Sequence, residues 1–130
     1  MSAAYLDTSV LLAIAFGEPQ GRALRRAVDR FDHLLAGDLL VAEALSAALR
    51  ERVPVSALRD CLQAVSIVLP DRSLEPEMRE ALGQGVLRGA DLWHVACAAF
   101  VAGADRGTLA FLTRDGGQRR VARRLGFPTP

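Results

Sequence analysis

AAYLDTSVLLAIAF, residues 3–16, joins two kinds of hydrophobic order without a linker. Ala3–Asp7 reads as a short apolar strand, and "TSVLLAIAF" as a short, almost wholly apolar helix that must be buried. Outward from this unit the same alternation recurs. Glu18–Phe31 reads as an amphipathic helix with Arg22, Arg26 and Arg30 along one stripe and Leu24 and Val28 among its apolar positions. "HLLAG" (33–37) is a candidate second strand, followed by a strong helix over Asp38–Arg52 with Asp38 as candidate N-cap. Pro54 opens a helix to about Ala64. "SIVLP" is a third strand, and Leu74–Leu82 is helical. A turn punctuated by Gly83, Gly85 and Gly89 leads to an apolar helix over Asp91–Ala102, which Gly103 can close. Thr108–Thr113 is a strand, Gln118–Leu125 the last helix, and "GFPTP" an edge strand or a tail. Strands alternating with helices predict an α/β sandwich with a mainly parallel sheet.

The 130 residues suit a single domain, 1–130, with one core. Half the residues are hydrophobic, too many for a disordered chain. The longest apolar runs, Val10–Phe16 and Val95–Ala102, fall far short of the roughly 20 residues of a bilayer span. No basic segment precedes an apolar one at the N-terminus, so the expected location is cytoplasmic. Cys61 and Cys97 lack metal-ligand spacing and read as buried small hydrophobes. All sixteen basic residues are Arg. The absence of Lys excludes a P-loop nucleotide site and argues against a phosphoacceptor receiver domain, both of which rely on a lysine.

Four acids stand out. Asp7 ends the first strand, where parallel α/β folds bind ligands, although Asp also caps helices well. Glu43 interrupts "LLVAEALSAAL" on the face shared by Leu39 and Ala47, so its charge is set against the body of the protein or at its rim. Asp91 opens "DLWHVACAAF" and Asp115 follows the strand "LAFLT" after one Arg; a helix cap explains either one locally. Together, three acids lie at junctions that a parallel sheet gathers at one edge, and the fourth points inward. Converging carboxylates raise one another's pKa unless a cation compensates them, and an oxygen-only donor set favours Mg²⁺ or Mn²⁺.

"YLDTSVLL", Glu43 within "DLLVAEALSAAL", "GADLWHVACAA" around Asp91 and "FLTRD" ending at Asp115 resemble the four acidic motifs of PIN domains, most closely the VapC-type toxins of toxin–antitoxin pairs. The resemblance runs from about residue 3 to residue 127. It implies a PIN-like three-layer sandwich and a metal-dependent endoribonuclease using Mg²⁺, with Mn²⁺ able to substitute. Asp7, Glu43, Asp91 and Asp115 would be its catalytic acids, with Asp7, Asp91 and Asp115 on the metal. Thr8 or Ser9, and Thr113, match the family's hydroxyl positions. It also implies a homodimer held inactive by a small VapB-like antitoxin. The sequence departs at "TRDGGQ", where Gly116 and Gly117 are expected to loosen the loop carrying Asp115.

RNA requires cations, and Arg114, Arg119, Arg120, Arg123 and Arg124 cluster beside Asp115, as a phosphate contact or as a solvated helix end. His94 is a core or interface residue or a metal ligand, and Trp93 a packing residue or a base-stacking platform. The rival from another class is a catalytically inactive PIN-like binding module controlled by a protein partner, its acids serving as caps.

Overall fold

A computed structural model of the chain describes residues 2–130. Four strands, β1 (Ala3–Leu6), β2 (His33–Gly37), β3 (Ser66–Val68) and β4 (Leu109–Leu112), form one sheet in the order β3-β2-β1-β4, and every pair is parallel. The connections are helical: α1 (Thr8–Ala15) and α2 (Gly21–Val28) lead to β2, and α3 (Leu39–Arg50) and α4 (Ser56–Gln63) lead to β3. Then α5 (Glu75–Leu82) and α6 (Gly89–Ala102) return the chain past β1 to β4, and α7 (Gly116–Arg124) follows.

Alternation along β1 sorts the helices into two outer layers. Ala4 and Leu6 face one core with Val10, Leu11, Leu40, Ala44 and Leu58 from α1, α3 and α4. Tyr5 faces the other core with Val95, Ala99, Phe111 and Val121. This is the three-layer sandwich expected from the sequence. The chain grows from β1 through β2 to β3 and then crosses to β4 on the far side of β1, so the switch point lies between β1 and β4. Ligands bind at such a point, beyond the carboxyl ends of the strands. Asp7 follows the end of β1, and its backbone N–H reaches the Leu112 carbonyl at 3.1 Å, which ties the ends of β1 and β4 together.

Several boundaries differ from expectation for local reasons. Helix α2 is shorter than Glu18–Phe31, because residues before Gly21 fold back on α1: the Glu18 N–H bonds the Ala13 carbonyl, and a Cβ on Gly21 would stand 2.7 Å from that same oxygen. Arg30 thus lies beyond the helix that carries Arg22 and Arg26. Asp38 precedes α3 but its side chain makes no capping bond. Helix α6 begins at Gly89, two residues before Asp91. "GFPTP" is a tail rather than a strand, with the Pro128 carbonyl accepting from the Phe111 N–H at 2.8 Å. Gly103 does close α6, at φ 60°. Cys97 is fully buried, Cys61 only half so, and both are free.

Gly37 is fixed by what packs on it. A Cβ there would sit 2.2 Å from Trp93 Cζ3 and 2.7 Å from the Tyr5 hydroxyl oxygen. The indole of Trp93 therefore serves as packing over the end of β2. Gly37→Ala is expected to destabilise the protein by about 1–3 kcal/mol through overpacking. Chemical denaturation against wild type measures it, and an unchanged midpoint would show that the indole swings away freely.

Candidate active site

The β1–α1 junction builds the first part of the site. Asp7 is 4 % exposed and caps α1, its Oδ1 accepting from the Ser9 N–H at 3.1 Å and the Ser9 hydroxyl at 2.6 Å. Ser9 Oγ in turn accepts from the Arg114 N–H. Thr113, just past β4, places its hydroxyl oxygen 3.1 Å from Asp7 Oδ2 and 2.6 Å from Gln118 Oε1. One hydroxyl hydrogen cannot serve both acceptors fully, and the shorter contact takes it. Asp7 Oδ2 is left as a buried carboxylate oxygen with a weak share of one donor. Burial pushes the Asp7 carboxyl above its usual range, against the lowering effects of Ser9, His94 and Thr113.

Asp91 is the third residue of α6, not its cap. The cap position is Arg88, which makes no side-chain bond to the helix end. Among the described residues nothing donates a hydrogen bond to the Asp91 carboxylate. Desolvation and then the nearby charge of Asp115 push its carboxyl upward, with Glu43 adding to the rise and Arg88 and His94 opposing it. Asp115 is exposed and caps α7, its Oδ1 accepting from the Gln118 N–H at 2.7 Å. Gly116 and Gly117 form the first turn of that helix, so the loosened loop expected there does not occur. A Cβ on Gly117 would press on Asp115 Oδ1 at 3.3 Å, and glycine leaves the cap room to form.

Glu43 projects from the middle of α3 towards Thr8 on α1 and His94 on α6. Its Oε1 accepts from the Thr8 hydroxyl at 2.7 Å and lies 2.6 Å from His94 Nε2. His94 is 1 % exposed, and its Nδ1 lies 3.2 Å from the Tyr5 hydroxyl. Both ring nitrogens are engaged within the protein. Asp7, Thr8, Ser9, Glu43, Asp91 and His94 line one open cleft of about 480 Å³. Asp115 stands outside that lining, beside Asp91.

Two residues that sequence reasoning passed over belong to this arrangement. Gln118, fully buried, takes the Asp115 cap with its N–H, accepts from Thr113, and donates to the Asp91 carbonyl at 3.1 Å. It thereby stitches the starts of α6 and α7 to the end of β4. The acid-to-glutamine spacing of a capping box, Asp115 to Gln118, was the available signal. Arg50 lines the cleft two helical turns after Glu43 and, among the described residues, makes no ion pair. Its signal was that same-face spacing.

The arginines beside Asp115 are largely engaged elsewhere. Arg114 pairs with Glu18 and reaches Gln20 Oε1 at 2.6 Å. Arg119 donates to the Thr113 carbonyl at 2.6 Å, and Arg123 to the Thr129 hydroxyl at 3.1 Å. Arg119 is thus a clamp on the strand end that presents Thr113.

The donor set suits a hard divalent cation. It is oxygen-only, it includes the buried, under-donated Oδ2 of Asp7, and it includes a carboxylate at Asp91 with no donor of its own. Among the described residues, no three Asp, Glu, His or Cys side chains close into a ready cage. That spacing fits an ion held by one or two carboxylates and otherwise by water, as Mg²⁺ usually is.

No curated protein matches the chain in sequence. Among solved structures it is similar to PAE2754 from Pyrobaculum aerophilum, at 20 % identity and a TM-score of 0.65, over 98 % of this chain and 89 % of that one. At that identity the likeness speaks for the fold alone. The sequence pattern of the PIN domain matches residues 4–124 and so takes in all four acids. With strand order, switch point and acidic cleft in place, that match over nearly the whole length means that the chain belongs to the PIN domain family.

Proposed function

We propose that the protein, as one PIN-like domain spanning residues 1–130, is a metal-dependent endoribonuclease of the VapC toxin type, cutting RNA phosphodiester bonds with water as nucleophile. PIN domains are generally metal-dependent nucleases, so the hydrolase class follows from the family. The observation that carries the finer reading is the Asp91 carboxylate, raised in pKa, without a hydrogen-bond donor, and opening on a cleft it shares with Asp7 and Glu43.

Asp7 and Asp91 would hold the principal cation directly, and Asp115 would complete its surroundings or hold a second ion. When bound, Mg²⁺ or Mn²⁺ would stabilise charge on the phosphoryl oxygens and acidify the attacking water. Glu43 keeps Oε2 unengaged among the described residues and can accept a proton from that water or orient it. Ser9 fixes one oxygen of the Asp7 carboxylate, and Thr113 borders the other. Oligomeric state and partner follow the family reading: a homodimer inhibited by a VapB-like antitoxin, acting in the cytoplasm.

The test is cleavage of single-stranded RNA by purified protein with Mg²⁺, with Mn²⁺ and with EDTA, beside a DNA strand of the same sequence. Cleavage of RNA alone, restored by either ion, supports the proposal. Undiminished cleavage in EDTA would reject the metal dependence, and no cleavage with any ion would reject the proposal in favour of a binding module. A second prediction concerns substrate grip. We expect Arg50, rather than Arg114 or Arg119, to contact phosphate, since it lines the cleft and, among the described residues, makes no ion pair. Arg50→Ala should raise KM several-fold and reduce the slope of log affinity against log salt by about 0.7, one phosphate contact on a single strand. An unchanged slope would remove Arg50 from the interface.

A further inference from the structure

The hydrogen-bond chain behind Glu43 can be resolved proton by proton. The Gly37 N–H donates to the Tyr5 hydroxyl oxygen at 3.0 Å, so the phenol already accepts one bond and its own hydrogen is free to donate. Its two neighbours are His94 Nδ1, at 3.2 Å, and the Cys97 thiol. Imidazole nitrogen is the better acceptor, since sulfur accepts weakly. At the other side of the ring, His94 Nε2 lies 2.6 Å from Glu43 Oε1, and a carboxylate can only accept. Nε2 must therefore carry a hydrogen, and in the neutral ring Nδ1 is left with the lone pair that the Tyr5 hydroxyl needs. The Thr8 hydroxyl spends its hydrogen on the same Glu43 oxygen. The Nε2–H also lies 3.2 Å from the Thr8 hydroxyl oxygen, but Glu43 Oε1, at 2.6 Å and charged, is the nearer and stronger acceptor.

The ring that transmits this order has little freedom. Tyr5 stacks on Phe111 with centroids 5.6 Å apart, and the indole of Trp93 meets His94 edge-on at 5.5 Å. Tyr5 and His94 are 0 % and 1 % exposed, so a substrate in the cleft, whose wall His94 backs, meets almost none of either ring. The chain nevertheless ends on a carboxylate that is about one-third exposed and whose second oxygen is unengaged among the described residues.

We propose that Tyr5 and His94 are a positioning pair for Glu43: the Tyr5 hydroxyl locks His94 as the Nε2–H tautomer, and that N–H fixes one oxygen of Glu43 so that the other faces the cleft. The proposal rests on the reading of the cleft as a nuclease site. It assigns His94 to neither metal binding nor inert packing. Burial holds the Tyr5 phenol well above its usual range, so the lock stays protonated at any working pH.

The first test needs no activity. Long-range ¹⁵N–¹H NMR of the full chain should show His94 as the Nε2–H tautomer, and Tyr5→Phe should remove the bias. A wild-type ring in the Nδ1–H form overturns the proposal. The second test is kinetic. His94→Asn should lower kcat about 10–100-fold, the usual cost of losing a group that orients a site residue, with KM changed less than about twofold. His94→Gln, whose amide nitrogen reaches the Nε2 position, should recover most of the loss. Equal losses in the two variants, or none in either, overturn the positioning role. Tyr5→Phe gives the same readout in smaller measure if the Asn variant folds poorly. If Asp91→Asn leaves cleavage untouched, the nuclease reading fails and takes the kinetic role with it, whereas the tautomer result stands on its own.

Discussion

Asp91→Asn should reduce RNA cleavage by about two orders of magnitude or more, while the metal-free protein melts no lower than wild type. The pairing of these results is the point. Most buried-site substitutions lose activity partly by damaging the fold. Asp91 escapes that confusion, because among the described residues its carboxylate receives no hydrogen bond and it does not cap α6. Its structural contribution is the Gln118 bond to its backbone carbonyl, which asparagine keeps. The charge itself is a liability to the metal-free fold, since desolvation disfavours it and Asp115 and Glu43 repel it. Asparagine removes that repulsion at almost equal volume. The functional loss follows from the opposite logic: an amide oxygen is a poor substitute for a carboxylate towards a hard dication, and each lost contact of this kind in a preorganised site costs roughly 10²–10³ in rate. Rate and melting temperature are measured on the same preparation. Full activity in that variant would place the metal elsewhere.

How much of this was legible in sequence depends on the range of the interaction. The β1–α1 unit was readable because hydrophobic order changes within residues 3–16, and the parallel sheet followed from its repetition. The start of α6 was not, because its cap position holds Arg88, which makes no capping bond and leaves no signal, while Gly89 and Ala90 read as a turn. Asp91 consequently looked like a cap when it lies inside the helix. The two glycines after Asp115 suggested looseness, yet the cap they adjoin is made by Asp115 on Gln118, a spacing present in the sequence. Other features could not have been found locally. Glu43 and His94 are 51 residues apart, Tyr5 and His94 are 89 apart, and their union depends on α3 and α6 both reaching β1. The need for glycine at 37 comes from Trp93, on another helix. The arginines near Asp115 were readable as a cluster, but their engagement with Glu18, Gln20, Thr113 and Thr129 was not.

Asp7→Asn should make the metal-free protein more stable at neutral pH and abolish its stabilisation by Mn²⁺. The structural role of Asp7 is to cap α1, and asparagine caps a helix about as well as aspartate. Its amide would also suit the local proton count better, donating to the Thr113 oxygen and leaving the Thr113 hydrogen to Gln118. What disappears is a buried charge whose pKa burial has raised. The sign of the pH effect follows. A carboxyl with a raised folded-state pKa holds its proton more tightly in the native state than in the unfolded one. Its stabilising share is complete below the unfolded value of 3.8 and is lost as pH rises through the folded value. The metal-free wild type should therefore gain stability as pH falls through the folded pKa of Asp7 towards 3.8, and the variant should lack that gain. Each kcal/mol corresponds to roughly 3–5 °C in melting temperature for a chain of this size. In the opposite direction, Mn²⁺ at a hundred times its Kd should stabilise wild type by about 2.7 kcal/mol, because it binds only the folded state. A melting series over pH, with Mn²⁺ and with EDTA, reads both arms. If Asp7 served only as a cap, asparagine would leave the metal response as it was, and the acidic cleft would lose its claim to a cation.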